Sequence, residues 1–147
     1  YHDNKEIEKA YAKEYSKNNR LKLNEYRREY EKERIKVDAL YKFIKSIRSL
    51  IFISIKMRRY DKKSKTLTIL GCTFDEFKNY IESKFEIWMN WSNYGKYTGE
   101  YNETWQLDHI IPISSAKNET DVLKLNHYTN FQPLCSKINN EKSNRIF

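Results

Sequence analysis

The sequence predicts an α+β protein in which a mostly helical N-terminal part is followed by a small C-terminal module of two strands and a helix. All three glycines and both prolines lie after residue 70, so the first 70 residues lack the usual helix breakers. Further along, apolar runs bounded by turn residues predict strands over about residues 106–111 and 129–132. A polar connection with a short helical turn near residues 121–125 joins them. A closing helix is expected over about residues 136–144, with Ser136 as its N-cap.

Positive charge is concentrated in the middle of the chain, whose net charge is +8. Residues 1–36 carry 11 Lys and Arg against 8 Asp and Glu, residues 37–70 carry 9 against 2, and residues 71–147 carry 8 against 10. We therefore expect a helical arm over residues 1–36, a basic amphipathic helix with its linker over residues 37–70, and a C-terminal domain over residues 71–147. A basic segment beside a more acidic module indicates a protein that binds phosphates with one element and acts on them with another.

The arm is rich in tyrosine and basic side chains. Tyr11, Tyr15, Tyr26, Tyr30 and Tyr41 are separated by 4, 11, 4 and 11 residues, which places their rings on one broad helical face. This face can pack against another helix or a second copy of the chain, or it can lie along DNA with Lys and Arg beside it on the phosphates. Because a helix this polar is marginal alone in water, partial disorder before binding is a third alternative.

Residues 37–60 form the clearest amphipathic helix of the sequence, with apolar side chains recurring at helical spacing. A basic corner follows this helix and offers side chains for phosphate binding: Arg58, Arg59, Lys62, Lys63 and Lys65. Further along, Thr73 and Glu76 have the spacing of a capping box, so another helix is expected to begin at Phe74.

The C-terminal module contains an ordered set of polar side chains that suits metal-assisted hydrolysis of phosphodiesters. Asp108 and His109 are adjacent, Asn130 follows 21 residues after His109, Asn139 follows nine residues later, and Lys142 lies three residues further on. A neutral imidazole can take a proton from water near pH 7, so His109 is the candidate general base. Asp108 and Asn139 offer oxygen ligands, which favour Mg²⁺ with Mn²⁺ as a substitute. Lys142 shares a helix face with Asn139 and can hold a substrate phosphate.

This ordered set resembles the HNH, or ββα-metal, nuclease family over about residues 104–144, and less specifically back to about residue 62. Segments 70–77 and 91–95 are similar to those that precede the core in phage-type members. The resemblance implies a ββα-metal module with Asp108 as the acidic metal ligand, His109 as the base and Asn139 as the last ligand. It implies that Asn130 is the central asparagine that orients the histidine from the second strand.

The same resemblance implies a substrate and an origin. We expect a DNA endonuclease that cuts one strand of double-stranded DNA per active site, with RNA left open as a substrate. A phage or mobile element is the expected source.

One geometric condition must hold for this set to act together. Neighbouring residues on a regular strand point to opposite faces, so Asp108 and His109 converge on one phosphate only if the strand ends, twists or bulges there. Pro112 lies close enough to favour such an interruption.

The two cysteines, Cys72 and Cys135, have no close cysteine partner. We therefore expect reduced thiols in an intracellular, cytoplasmic protein, with neither disulfides nor structural zinc. The longest apolar run, residues 50–55, is too short to span a bilayer, so no membrane partner is expected.

Two other classes of protein compete with the enzyme. One is a non-catalytic DNA-binding module, such as a phage packaging or regulatory protein, in which the nuclease site is vestigial. The other is a structural protein that dimerises through its arm. The intact set of Asp108, His109, Asn130 and Asn139 favours the enzyme. His127 is expected to pack or to contact the DNA backbone rather than to act in catalysis.

Overall fold

The computed structural model describes residues 2–143 and residue 145, and the chain divides into two compact units at residues 42 and 43. The α+β class is confirmed, because the described residues form helices and a two-stranded antiparallel sheet. Among these residues, no helix is both long enough and apolar enough to cross a bilayer.

The first unit contains α1 (His2–Asn18) and α2 (Arg20–Val37), and α3 (Ala39–Met57) begins at its end. The helices break at two positions, of which the first interrupts the arm predicted over residues 1–36 and the second lies next to the predicted start of the amphipathic helix at residue 37. At the first, both the backbone N–H and the side-chain amide of Asn19 donate to the carbonyl oxygen of Tyr15. At the second, the backbone of Asp38 is extended, and its carboxylate accepts a hydrogen bond of 2.8 Å from the N–H of Tyr41. Asp38 thus caps the start of α3.

The tyrosine face of the arm is exposed within its unit. Tyr11 and Tyr26 are 70% and 73% exposed, and no described residue of α2 is buried. The rings of Tyr11 and Tyr15 stack on each other with their centroids 6.4 Å apart. What covers this face, whether a helix, a second copy or DNA, stays a prediction.

The second unit is built on the apolar face of α3, and this face confirms the amphipathic helix predicted from the sequence. Five of its residues are buried, and they recur every three or four positions along one face of the helix: Phe43, Ile47, Ile51, Ser54 and Ile55. An aromatic cluster extends this core. The fully buried Trp105 contacts the rings of Phe85, Trp91 and Tyr94 with centroids 4.8, 5.4 and 4.7 Å away.

Two further helices lie between α3 and the C-terminal module in the sequence. Helix α4 (Thr66–Leu70) ends at Gly71, whose φ of 82° lies in the left-handed region that glycine adopts without strain. Helix α5 (Phe74–Glu82) begins with the predicted capping box, which is confirmed. The backbone N–H of Thr73 donates to Glu76 at 2.8 Å, and the backbone N–H of Glu76 donates to the hydroxyl of Thr73 at 3.2 Å.

The sheet consists of β1 (Trp105–His109) and β2 (Phe131–Cys135), paired antiparallel from Trp105↔Cys135 to His109↔Phe131. The predicted position of the second strand, residues 129–132, was wrong by about two residues, because Tyr128–Asn130 is a 3₁₀ turn. Pro133 lies inside β2, which a two-stranded sheet tolerates because each strand has a free edge.

Helix α6 (Glu119–Leu125) occupies the connection between the strands, and α7 (Ser136–Lys142) follows β2 directly. The predicted end of the closing helix at residue 144 lies outside the described residues. Ser136 is the first residue of α7 rather than its cap, since its hydroxyl donates to the carbonyl oxygen of Gly95 at 2.8 Å.

Alternation along the strands gives the sheet two chemically different faces. Leu107, His109 and Phe131 lie on what we term the core face, where Leu107 and Phe131 are buried. Gln106 and Asp108 lie on the opposite side, termed the α7 face, because both bond to side chains of α7. These two faces decide which functional side chains meet.

We predict that Phe77→Ala destabilises the protein by about 3–5 kcal/mol, because Phe77 is fully buried between the rings of Phe43 and Phe131. The matched control is Phe52→Ala on α3, where the side chain is 48% exposed and the expected loss is below about 1 kcal/mol. Urea denaturation measures both. Equal losses for the two variants would contradict this core.

Candidate active site

Asp108 and His109 leave β1 on opposite faces. Pairing with β2 continues in register through both residues, Asp108↔Gln132 and His109↔Phe131, with no bulge between them. β1 ends at His109, which is one of the interruptions that the sequence condition allows, but no bulge turns the two side chains to one face and they take different partners. Asp108 belongs to the α7 face, and His109 belongs to the core face.

On the α7 face, Asp108 forms a buried ion pair. Its Oδ2 atom accepts hydrogen bonds from the ammonium of Lys142 and, at 2.8 Å, from the side-chain amide of Gln132. The Lys142 ammonium also donates to the backbone carbonyl oxygens of His109 at 2.7 Å and Ile110 at 3.3 Å. All three donor positions of the ammonium are thus matched by acceptors.

This ion pair changes the role expected for Lys142. The side chain is only 1% exposed, so in this structure its ammonium is directed into the module rather than toward a substrate phosphate. Asn139 and Lys142 share a helix face as predicted, whereas the burial of Lys142 was not predicted; its contact with a phosphate stays a prediction. A basic side chain on a short helix is exposed by default, and here the buried carboxylate of Asp108 draws it inward.

Asn139 also faces the sheet. Its amide donates to the side-chain oxygen of Gln106 at 2.8 Å, two residues before Asp108 on the same strand face. The side chains of Asp108 and Asn139 therefore lie over one face of β1, and carboxylate and amide oxygens suit Mg²⁺. The ammonium of Lys142 already holds Oδ2 of Asp108, so a hard cation at this carboxylate would compete with it.

On the core face, His109 is held by Asn126. The distance between His109 Nε2 and Asn126 Oδ1 is 3.1 Å, and the imidazole lies against the ring of Phe131 with centroids 4.4 Å apart. Burial lowers the pKa of His109 from 6.5 to about 4, although the contact with Asn126 and the charge of Asp108 act in the opposite direction. His109 is therefore a neutral imidazole at pH 7.

Asn126 itself is fixed by a network that sequence reasoning missed. Its side-chain amide donates to the carbonyl oxygen of Val122 at 2.9 Å and to the hydroxyl of Ser54 at 2.8 Å. Asn126 is fully buried, and Ser54 is 6% exposed. The only available signal was Ser54 itself, a polar residue on the buried face of the most apolar helix.

Asn130 lies in the turn just before β2, and its side-chain hydrogen bonds go to backbone atoms rather than to the imidazole. Its side chain exchanges two hydrogen bonds with the backbone of Ile111, at 2.9 and 3.0 Å, and donates to the carbonyl oxygen of Leu125 at 2.8 Å. Its backbone oxygen accepts from Ile110 at 2.8 Å. Asn130 therefore holds the chain immediately after His109 and positions the imidazole through the backbone, not by a direct contact.

His127 packs as expected rather than joining the polar set. Its Nδ1 atom lies 2.9 Å from the hydroxyl of Thr129, and its ring contacts Tyr128 with centroids 4.6 Å apart. A Cβ at Gly71 would lie 2.4 Å from the His127 ring, so this close approach requires glycine.

The basic corner lies between α3 and α4. The guanidinium of Arg58 donates to the carbonyl oxygen of Ala116, and Lys62 donates to that of Ser64 at 2.6 Å. Three of its members are exposed: Arg59, Lys63 and Lys65. Lys63 lies 3.7 Å from the carboxylate of Glu119, a contact that solvent weakens.

Cys72 and Cys135 are both free thiols, and burial raises the pKa of Cys72 to about 11. In the part of the chain that the structure describes, no group of three or more His, Cys, Asp or Glu side chains comes together. A metal site there would have fewer such ligands, and the predicted pair of Asp108 and Asn139 is of that kind. The expected lack of structural zinc stays a prediction.

No protein-family model and no solved structure matches the chain. Two curated proteins of Acanthamoeba polyphaga mimivirus are similar to it. Uncharacterized protein L426 is 29% identical over 140 residues, covering 94% of this chain and 56% of its own length. Uncharacterized protein L246 is 29% identical over 123 residues, covering 82% of this chain and 50% of its own length. The chain thus spans about half the length of the curated relatives it matches.

We predict that Lys142→Met destabilises the protein by about 3–5 kcal/mol, because it leaves the buried carboxylate of Asp108 without its cation. The matched control is Lys137→Met on the same helix. Lys137 lies over the ring of Tyr101 at 5.8 Å, so its loss should cost under about 1 kcal/mol. Chemical denaturation at pH 7 compares the two. A loss for Lys142→Met no larger than the control would refute the buried pair.

We predict that folding stability depends on pH through His109. Between the unfolded pKa of about 6.5 and the folded pKa of about 4, the unfolded chain binds the additional proton. The contribution is fully present above about pH 6.5 and falls by up to about 3 kcal/mol as the pH drops toward 4. NMR titration of the ring, and denaturation of His109→Gln across the same range, measure it. A ring that titrates near pH 6.5 would contradict the burial.

Proposed function

We propose that the chain is a metal-dependent DNA endonuclease of the HNH type, which hydrolyses phosphodiester bonds with His109 as general base. One observation supports this most strongly. Two antiparallel strands are followed by a helix packed on one sheet face, and this order brings Asp108 and Asn139 over the same face. The ββα-metal family has this order of elements and this set of side chains.

The state of His109 suits proton abstraction. Because burial keeps the imidazole neutral at pH 7, one ring nitrogen always carries a lone pair. The low pKa also limits the strength of this base, since proton transfer is most effective when the pKa lies near the operating pH. A bound polyanionic substrate would raise the pKa of His109 toward that range, because negative charge favours the imidazolium.

Asp108 and Asn139 would hold the divalent ion of this proposal. When bound, Mg²⁺ neutralises the charge that develops on the phosphoryl group and on the leaving oxygen. For Oδ2 of Asp108 to bind this ion, the ammonium of Lys142 would first have to leave it. An ammonium released in this way would lie beside the site and meet the expectation that Lys142 contacts a phosphate.

The basic corner and the arm would hold double-stranded DNA. Arg59, Lys63 and Lys65 are exposed beside a segment of strongly positive net charge, and exposed cations on phosphates supply sequence-independent affinity. RNA offers the same phosphates and stays a competing substrate. The viral source of the two relatives agrees with a mobile-element or viral enzyme that works inside cells.

The alternative of a DNA-binding module without activity is favoured by a specific observation. Asp108 and His109 point to opposite faces, and the carboxylate of Asp108 is already neutralised by Lys142. In that case the same buried side chains would stabilise the module, and the basic corner alone would account for binding.

We predict that supercoiled plasmid is nicked or linearised with Mg²⁺ and stays intact with EDTA. His109→Ala should reduce the rate at least ~10²-fold, because a positioned general base contributes about that much. His127→Asn is the matched control, since His127 packs against Gly71 and should leave the rate within a few-fold.

The outcomes separate the two functions. Metal-dependent cleavage that requires His109 supports the endonuclease. A protein that shifts DNA in a gel but leaves plasmid and a library of longer DNA intact, with and without metal, supports the binding module. Cleavage that survives His109→Ala would remove this histidine as the base.

A further inference from the structure

The amide of Asn126 has a fixed orientation. Its Nδ2 atom lies 2.9 Å from the carbonyl oxygen of Val122, which can only accept a hydrogen bond. A reversed amide would place two oxygens in contact in a fully buried position, where neither could find a donor in exchange. The Oδ1 atom is therefore the one directed at His109.

The fixed amide determines the tautomer of His109. Because Oδ1 of Asn126 is an acceptor, the Nε2 atom 3.1 Å away must carry the proton of the neutral ring. The lone pair then lies on Nδ1, for which residues 2–143 offer no hydrogen-bond partner. This nitrogen is left available to a water molecule.

We propose that Asn126, held by Ser54, is a positioning residue that keeps His109 in the Nε2–H tautomer and presents Nδ1 as the proton acceptor. This inference rests on the proposed function for its catalytic part. In the reaction, Nδ1 takes a proton from the attacking water while the water oxygen bonds to phosphorus. The bond from phosphorus to the leaving oxygen breaks with its electron pair, and that oxygen takes a proton from solvent.

The same contact persists after proton transfer. The imidazolium keeps the proton on Nε2, so Asn126 Oδ1 still accepts its hydrogen bond, and that bond becomes charge-assisted. Asn126 therefore stabilises the ring in both states and needs no rearrangement during the reaction. An aspartate there would keep an acceptor for Nε2 but lose the donor to Val122.

Ser54 lies 72 residues before Asn126 in the sequence and links it to α3. Its hydroxyl accepts from Nδ2 of Asn126 at 2.8 Å and lies 2.9 Å from the carbonyl oxygen of Ile51 on its own helix. Asn126 ends α6, and Ser54 lies on α3, so two helices outside the strands and α7 fix which ring nitrogen carries the lone pair.

The test reads the tautomer directly by long-range ¹H–¹⁵N NMR of the histidine rings, together with kcat and KM for DNA cleavage. The wild type should show the Nε2–H form at His109. Asn126→Leu, which removes the acceptor, should give a mixture of tautomers and lower kcat at least ~10-fold with little change in KM. Asn126→Asp should restore the Nε2–H form, and Ser54→Ala should give an intermediate effect.

The matched control is Asn118→Ala. Asn118 caps the other end of α6, where its side chain accepts from Asp121 at 2.9 Å, so this variant weakens the same helix without touching His109. It should keep both the tautomer and kcat. If Asn126→Leu does not fold, the comparison of Ser54→Ala and Asn126→Asp with Asn118→Ala decides the question.

An unchanged Nε2–H form in folded Asn126→Leu overturns the proposal, as does a fall in kcat no larger than that of Asn118→Ala. The NMR result needs no activity, so the two proposals fail separately. If no form of the protein cleaves DNA but Asn126→Leu mixes the tautomers, the endonuclease proposal fails and the assignment of the ring nitrogen is retained.

Discussion

Side-chain alternation along β1 is the constraint on which the arrangement of the site depends. The strand stays in register with β2 as far as His109, so consecutive residues must serve different faces. The side chain of Asp108 therefore faces α7, and that of His109 faces the core. Each side chain finds its hydrogen-bond partners on its own face of the sheet. The result is one charged network and one neutral network, separated by the thickness of the sheet.

The two networks solve the same physical problem in different ways. A buried carboxylate is costly without a counter-charge, and the ammonium of Lys142 supplies that charge together with bonds to two backbone oxygens. A buried imidazole avoids the cost by staying neutral, and Asn126 then needs only to accept a hydrogen bond from the ring N–H. The neutral network is therefore the one whose hydrogen-bond pattern specifies where a lone pair lies.

Much of the fold followed from local patterns, whereas the partners in the site did not. The apolar face of α3 and the capping box of Thr73 were readable because helical period and capping depend on residues a few positions apart. The start of β2 was misplaced because the tight turn ending at Asn130 takes its shape from bonds to Ile111, which are 19 residues distant. The contact between Ser54 and Asn126 spans 72 residues, and no local pattern reports such a pairing.

Electrostatics links the two roles that the sequence assigned to Asp108 and Lys142. At about 4 Å and an effective dielectric constant near 20, a doubly charged cation and an ammonium repel by on the order of 8 kcal/mol. The two cations would therefore compete for the carboxylate of Asp108. If the endonuclease proposal holds, metal binding and the release of Lys142 are one event, and the released ammonium reaches the phosphate only in the metal-bound state. The buried pair is then the resting form of the same site, because the cation that stabilises the carboxylate during folding is the one that must leave before chemistry begins.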